Sequence, residues 1–330
     1  MLDTAEFISS ILKSKLNNFD ELALRVFQFQ YQFNPTYQKY CKLLHIHDMN
    51  RVDSIDKIPF LPIEFFKTRE IKSTEFNAEI VFSSSSTSGK GQSFHHVKNV
   101  EVYRQSFMHA FEHFYGNISD FCIFALLPSY LEREGSSLVY MLDEFIRKSN
   151  ESMSGFYLHN HQELYEKLKK AQKFGKKIIL FGATFGLLDF ADKYECDIKN
   201  AIIIETGGMK GRREELTRHE IHTYLKSRFG VNEIHSEYGM TELLSQAYAT
   251  NEGIFYCPAW MKIVITDMND PFEKLALGKT GVVNVIDLAN IFSCCFIKTA
   301  DLGKQAHNGG FEILGRMDYS DLRGCSLLTL

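Results

Sequence analysis

Five short segments of this 330-residue chain carry residue types and spacings that can do chemistry. The densest is 83-SSSSTSGKGQS-93, where small hydroxyl residues and two glycines let backbone N–H groups approach an anion closely. Such a nest suits phosphate, and the residues that would form it are Ser86, Thr87, Ser88, Gly89 and Lys90. The segment lacks the GxxxxGKS/T pattern, which disfavours a P-loop kinase. The alternative reading is a flexible surface loop. The second segment, 235-HSEYGMTE-242, ends a strand at Gly239, and Thr241 and Glu242 follow at once. In open α/β sheets ligands sit at the carboxyl ends of strands, and a hard carboxylate there can hold Mg²⁺ against substrate phosphates. The plain alternative is a helix start with Thr241 as cap and Glu242 in the first turn. In 205-ETGGMKG-211, Gly207 and Gly208 form a strand-end turn against which a flat ring can lie, or an ordinary strand-to-helix turn. In 299-TADLG-303, Asp301 can accept both hydroxyls of a ribose, or is a turn aspartate. The fifth, 315-GRMDYSDLRGCSL-327, is a charged segment.

Other patterns fail. HEIH at 219–222 has the wrong spacing for HExxH and reads as a solvated helix face. His45/His47 and His95/His96 lack metal-ligand partners in sequence. There is no GxSxG elbow and no GxGxxG after a strand, so a serine hydrolase and a dinucleotide fold are unsupported.

The elements that must position these segments change along the chain. Residues 1–75 read as a helical segment packed on the core. A helix runs through ELALRVFQFQY, Pro35 opens another, and two prolines make 56–67 extended. Residues 76–255 read as an α/β core in which 79-EIVFSS-84, 120-DFCIFALL-127, 176-KKIILFG-182, 201-AIIIE-205 and 234-IHSEYG-239 are strands alternating with helices. The Ser-rich loop leads towards a helix on which Tyr103, Phe107, Ala110, Phe111 and Phe114 share one apolar face. Residues 256–330 are β-rich, with turns at 269-NDP-271 and 308-NGG-310.

Composition sets the outer limits. A hydrophobic fraction of 45% and a charged fraction of 24% exclude disordered and collagen-like classes. The 28 Phe imply deep aromatic packing or a wide apolar pocket. A net charge of −4 without a basic stripe argues against nucleic acid. The longest apolar runs are too short to span a bilayer, and Asp3 and Glu6 precede any apolar run, so the expected location is the cytoplasm. Seven cysteines without a CxxC pair fit reduced thiols, with Cys294 and Cys295 as two buried ones.

The five segments, in this order, resemble the core motifs of the adenylate-forming superfamily, which includes acyl-CoA synthetases and nonribosomal adenylation domains. Ser85 to Gln92 looks like its phosphate loop, 238-YGMTE-242 matches its YGxTE motif, Asp301 falls at its ribose aspartate, and 315-GRMD-318 matches its GRxD hinge. A closer resemblance is to the acyl-protein synthetase (LuxE-type) family, known from the fatty acid reductase of luminous bacteria. It rests on LPSYLEREGSSLVYM, ILFGATFGLLDF, ETGGMKGRREELTR, SEYGMTELLSQAY and LRGCSLLTL. The resemblance implies an α/β fold like the N-terminal domain of adenylate-forming enzymes: mixed sheets flanked by helices plus a β-rich C-terminal part, with the superfamily's small C-terminal domain largely absent. It implies an ATP-dependent ligase that makes acyl-AMP from a carboxylic acid, passes the acyl group to an enzyme cysteine, and then to a partner such as a reductase or carrier protein. The phosphate loop would hold the β- and γ-phosphates and Glu242 would hold Mg²⁺. Gly207 and Gly208 would flank adenine, Asp301 would clamp ribose, and Arg316 would bridge ribose and phosphate. Tyr238, Gly239 and Thr241 would complete the nucleotide site.

Two departures modify this expectation. Gly91-Gln92 stand where the superfamily's loop has Pro-Lys, leaving Lys90 displaced. The residues after Asp318 contain no Lys, so assistance would come from Lys210 or Arg316, or adenylation is lost. Those residues contain Cys325, the expected acyl acceptor, two positions from Arg323, whose charge favours thiolate. Two alternative functions remain: an AMP-forming ligase loading an aryl or short acyl group onto a carrier protein or CoA, and a non-catalytic acyl- or nucleotide-binding subunit.

Overall fold

The computed structural model describes residues 3–12, 16–85, 91–128, 134–207 and 216–317. The chain starts with three helices, α1 (Thr4–Ile11), α2 (Phe19–Phe33) and α3 (Pro35–Leu43). Asn34 ends α2 and caps α3, accepting from the Tyr37 N–H, with Pro35 in the first turn. A two-residue strand, β1 (Leu61–Pro62), and a short helix, α4 (Phe65–Thr68), follow.

Next comes an antiparallel hairpin, β2 (Ile80–Ser83) and β3 (Phe94–Val97). The Ser-rich segment therefore joins two strands, whereas the sequence leads it towards a helix. Only His95 and Val97 of β3 are buried, a run too short for periodicity to reveal.

The alternating region then builds a six-stranded sheet. In chain order it runs α5 (Val100–Tyr115), β4 (Phe121–Leu126), α6 (Ser137–Ser149), β5 (Gly155–Phe156), α7 (His161–Lys173), β6 (Lys177–Ala183), α8 (Thr184–Lys193), β7 (Ile202–Thr206), α9 (Arg218–Phe229), β8 (His235–Tyr238) and β9 (Ala247–Ala249). The sheet order is β5-β4-β6-β7-β8-β9, parallel throughout except for β9. Strand pleating splits the core in two. Phe121, Ile123 and Ala125 of β4 enter one cluster with α2, α5 and α6, while Cys122, Phe124 and Leu126 enter another with α7, α8 and α9. The expected apolar face of α5 is buried at Tyr103, Phe107, Ala110 and Phe111, and Phe107 packs its ring 5.4 Å from that of Phe145. One expectation fails on α9: His222 is buried, because α9 lies against β7 and β8 and turns this residue towards Glu205.

The β-rich part holds β10 (Met261–Thr266), β11 (Gly281–Asp287), β12 (Phe296–Gln305) and β13 (Phe311–Arg316), paired antiparallel in sequence order. One edge of β12 is shared: β13 pairs with its later residues, and β1 joins it in parallel with Leu61 opposite Ile297. Tyr37 stacks on Phe296 at 5.9 Å, tying the N-terminal helices to this sheet. No separate small C-terminal domain is present among the described residues. As expected, Cys294 and Cys295 are buried and free.

Candidate active site

The site gathers where the parallel strands end and the β12–β13 hairpin reaches over them. Tyr238, the last residue of β8, donates its hydroxyl to Asp301 Oδ2 at 2.8 Å. Asp301 lies directly opposite Arg316 across the β12–β13 pair, and Arg316 Nε donates to Asp301 Oδ1 at 3.1 Å. Three residues from separate motifs thus meet at one carboxylate. Burial and the Asp301 charge hold the Tyr238 phenol well above its usual range, so it stays a donor. Phe255 and Phe311 pack their rings 5.9 and 5.7 Å from the Tyr238 ring and fix its direction. Asp301 is only 8% exposed but Arg316 is 76% exposed. The guanidinium is therefore an arm on a fixed post, able to turn from Asp301 to a second acceptor.

Glu242 lies on the neighbouring turn. No helix begins at Thr241; residues 241–242 form a turn, which overturns the capping alternative. The Glu242 carboxyl is buried, and burial raises its pKa, while Ser93, Arg316 and Lys67 act in the opposite sense. Ser93 belongs to the base of the Ser-rich loop. The Ser84 N–H donates to the Ser93 carbonyl at 3.1 Å, and the Ser93 N–H donates to Ser84 Oγ at 3.0 Å. The stem of the loop thus stands beside the carboxylate expected to hold the cation. Among the described residues no three His, Cys, Asp or Glu side chains form a metal cluster. Glu242 as a lone hard oxygen donor fits Mg²⁺, which keeps waters and takes its remaining ligands from substrate phosphates.

His95 braces this turn. Its Nδ1 donates to the Thr241 carbonyl at 2.8 Å, and its Nε2 lies 2.9 Å from Asn290 Oδ1. Asn290 Nδ2 donates to the Glu242 carbonyl at 2.8 Å and to the Cys294 carbonyl at 2.9 Å. Gln30 of α2 grips the same loop through the Ile291 carbonyl at 2.9 Å. Burial lowers the His95 pKa to about 4, against the opposing effect of Thr241 and Asn290.

Gly207 directly follows β7 with φ +70°, the left-handed region where a side chain is strained, and its carbonyl accepts from Thr184 Oγ1 at 2.8 Å. Gly239 directly follows Tyr238, and a Cβ there would meet the Glu237 carboxylate. The structure therefore brings together Tyr238, Gly239, Thr241, Glu242, Asp301 and Arg316, with Gly207 at a neighbouring strand end. Ser86, Thr87, Ser88, Gly89, Lys90, Gly208, Lys210 and Cys325 lie outside the described residues, as does Asp318 of the hinge motif.

Sequence reasoning missed a polar layer beneath the site. Glu205 and Glu237 occupy adjacent strands, β7 and β8, and both are buried. Thr184 Oγ1 donates to Glu205 Oε2 at 2.8 Å, and His222 Nε2 and Arg218 Nε each lie 3.7 Å from Glu205 Oε1. Burial works against ionisation of Glu205, but His222, Arg218, Ser236 and Thr184 outweigh it and hold its pKa below the usual value. Glu237 accepts from the Thr206 hydroxyl. Burial, reinforced by the Glu205 charge, pushes the Glu237 pKa up to about 7. Arg218 also donates to the Ile313 carbonyl at 3.1 Å and stacks over Phe255, joining α9 to the hairpin that carries Arg316. The one sequence signal for this layer was an acid inside each apolar strand, 201-AIIIE-205 and 234-IHSEYG-239.

Known structures share this architecture. An open conformation of 2-hydroxyisobutyryl-CoA ligase, in complex with 2-HIB-AMP and CoA, superposes with a TM-score of 0.69 at 11% identity, over 91% of this chain and 74% of that one. ATP-bound MatB from Rhodopseudomonas palustris superposes with a TM-score of 0.55 at 15% identity, over 74% of this chain and 50% of that one. This chain thus spans about half the length of the MatB structures it matches. At such identities the likeness establishes the fold, an α/β architecture like that of adenylate-forming ligases. A search of curated protein sequences gave no significant match. The profile of the family described as "Acyl-protein synthetase, LuxE" matches residues 6–329, and the chain belongs to that family.

Proposed function

We propose that this chain is an AMP-forming ligase that activates a carboxylic acid, of the long-chain fatty class, and transfers the acyl group to a cysteine thiol. The observation that carries this reading is the meeting of Tyr238, Asp301 and Arg316 at one carboxylate, beside the buried Glu242 and the stem of the Ser-rich loop. Asp301 accepts the ribose hydroxyls, and Tyr238 keeps its carboxylate aimed. Arg316 leaves Asp301 to neutralise charge on the α-phosphate; such displacements need mainly positioning and charge neutralisation. The Ser86–Lys90 nest holds the leaving β- and γ-phosphates, and Gly207 with Gly208 faces adenine. Mg²⁺ held by Glu242 supplies charge neutralisation to the phosphates. The acid's carboxylate oxygen bonds to the α-phosphorus as the bond to the β-phosphate breaks, giving acyl-AMP and pyrophosphate. Cys325, deprotonated, then attacks the acyl carbon, AMP leaves with the anhydride oxygen, and a thioester remains for delivery to a partner protein. Apolar packing rich in Phe is compatible with a long chain, and free, buried thiols are compatible with the cytoplasm.

The test is ATP–pyrophosphate exchange across a panel of fatty and aromatic acids, followed by acyl labelling. Exchange that depends on a fatty acid, with Cys325→Ser keeping exchange and losing label, is the expected result. Exchange with no acid, while ATP still binds, refutes the reading in favour of a non-catalytic binder. Label retained in Cys325→Ser refutes the assigned acceptor.

A further inference from the structure

We propose that His95 is a positioning residue for adenylation, the post that fixes the Thr241–Glu242 turn against the stem of the phosphate loop. The proposal rests on the reading of Glu242 as the cation-holding carboxylate.

A histidine that merely fills core needs one partner for its proton. His95 instead spans two acceptors, and both belong to the same construction. The Thr241 carbonyl, 2.8 Å from Nδ1, is the backbone immediately before Glu242. Asn290 Oδ1, 2.9 Å from Nε2, belongs to an amide whose nitrogen already donates to the carbonyls of Glu242 and Cys294. Those two carbonyls can only accept, so the orientation of the Asn290 amide is fixed. The neutral ring has a single proton, which Nδ1 gives to the Thr241 carbonyl; Nε2 then packs against the Asn290 oxygen without a hydrogen bond, and Asn290 separately holds the Glu242 carbonyl. The edge of Phe66, with centroids 6.0 Å apart at 89°, packs on the imidazole and limits its rotation.

The placement in the chain gives this brace its purpose. His95 is two residues beyond Ser93, whose backbone closes the Ser-rich loop on Ser84. The strand that leaves the phosphate loop is thus bolted to the cation-holding turn 146 residues later, and it packs against the loop at Asn290. Phosphate and cation must keep a fixed spacing for the α-phosphorus to be attacked in line, and a fraction of an ångström of slack there lowers the rate. His95 touches neither substrate nor metal in this scheme; it acts through Thr241, Asn290 and Glu242.

The test uses the full-length protein with His95→Gln, His95→Ala and Asn290→Ser. Exchange is followed against Mg²⁺ concentration at saturating ATP and acid, and melting temperature is recorded for each variant. The expected result is a rise of about tenfold in the Mg²⁺ needed for half-maximal exchange and a similar fall in kcat for His95→Ala, with an unchanged KM for the acid. His95→Gln keeps one donor and recovers part of both losses. If His95→Ala does not fold, Asn290→Ser and His95→Gln carry the comparison, and Asn290→Ser shifts the Mg²⁺ requirement in the same direction. A folded variant set with a wild-type Mg²⁺ requirement overturns the proposal, as does a loss of exchange that follows melting temperature alone. If the wild type supports no exchange with any acid, the adenylation reading itself has failed. Mg²⁺-dependent ATP binding, measured by calorimetry, then decides the role of His95 separately: an unchanged Mg²⁺ dependence in the variants overturns it, and a weakened one upholds it.

Discussion

Replacing Glu237 by glutamine should stabilise the protein more as the solution becomes more alkaline. Glu237 sits on β8 opposite Thr206, and burial together with the Glu205 charge raises its pKa from the usual 4.5 to about 7. The folded protein therefore holds a proton that the unfolded chain releases near pH 4.5. A raised carboxyl pKa contributes stability that is full below the unfolded value and is lost as the pH rises through the folded one. Integrating between those two values gives a loss of about 2–3 kcal/mol on going from pH 5 to pH 8. Glutamine keeps an acceptor for the Thr206 hydroxyl and does not titrate, so Glu237→Gln escapes this loss. For a chain of this size that is a difference of about 3–4 °C in melting temperature, present at pH 8 and small at pH 5. The assay is thermal or urea unfolding of wild type and variant in matched salt at both values. A variant offset that is the same at pH 5 and pH 8, or larger at pH 5, would refute the inference that Glu237 carries the proton of the Glu205–Glu237 pair.

Asp301→Ala removes the acceptor of both Tyr238 and Arg316, and should raise the KM for ATP at least tenfold while the KM for the acid barely moves, as read by steady-state exchange. Asp287→Ala strands the N–H groups of Leu244 and Ala289 and the Ser245 hydroxyl, all bonded to this carboxylate. It should cost about 3 kcal/mol or more in urea unfolding. Cys41 is pushed up by burial to about 12, Cys122 and Cys196 to about 11, and Cys257, Cys294 and Cys295 higher still. Alkylation at pH 8 should therefore leave these six thiols intact until the protein unfolds, and mass spectrometry of the native digest checks it.

The sequence revealed the fold class because its signals are local. The strands of the parallel sheet are apolar runs bounded by turn residues, and the buried face of α5 repeats with helical period. It also singled out Tyr238, Glu242, Asp301 and Arg316, which the fold brings near one another, since each sits in a motif whose residues are neighbours in the chain. What stayed hidden depends on pairs distant in sequence. His95 and Asn290 look unremarkable alone, and their roles appear only when 195 residues of chain fold back. His222 was assigned to solvent because its local pattern, HEIH, is polar; its burial is imposed by Glu205 and Ser236 on neighbouring strands. Likewise, β3 is four residues long and owes its existence to its pairing with β2.

The shared edge of β12 has a consequence for synthesis of the protein on the ribosome. Leu61 and Pro62 pair with residues 297–298, and Gln30 seats the loop at 290–295, so the first helices finish folding only when the last strands have emerged. At typical elongation rates of about 5–20 residues per second, the intervening chain takes roughly 10–50 s to make. During that interval α2 and α3 can pack on each other, as Phe27 does on Tyr37, but the side of both rings that Phe296 covers stays open. A ribosome that stalls before residue 296 leaves a product with part of its N-terminal aromatic surface uncovered.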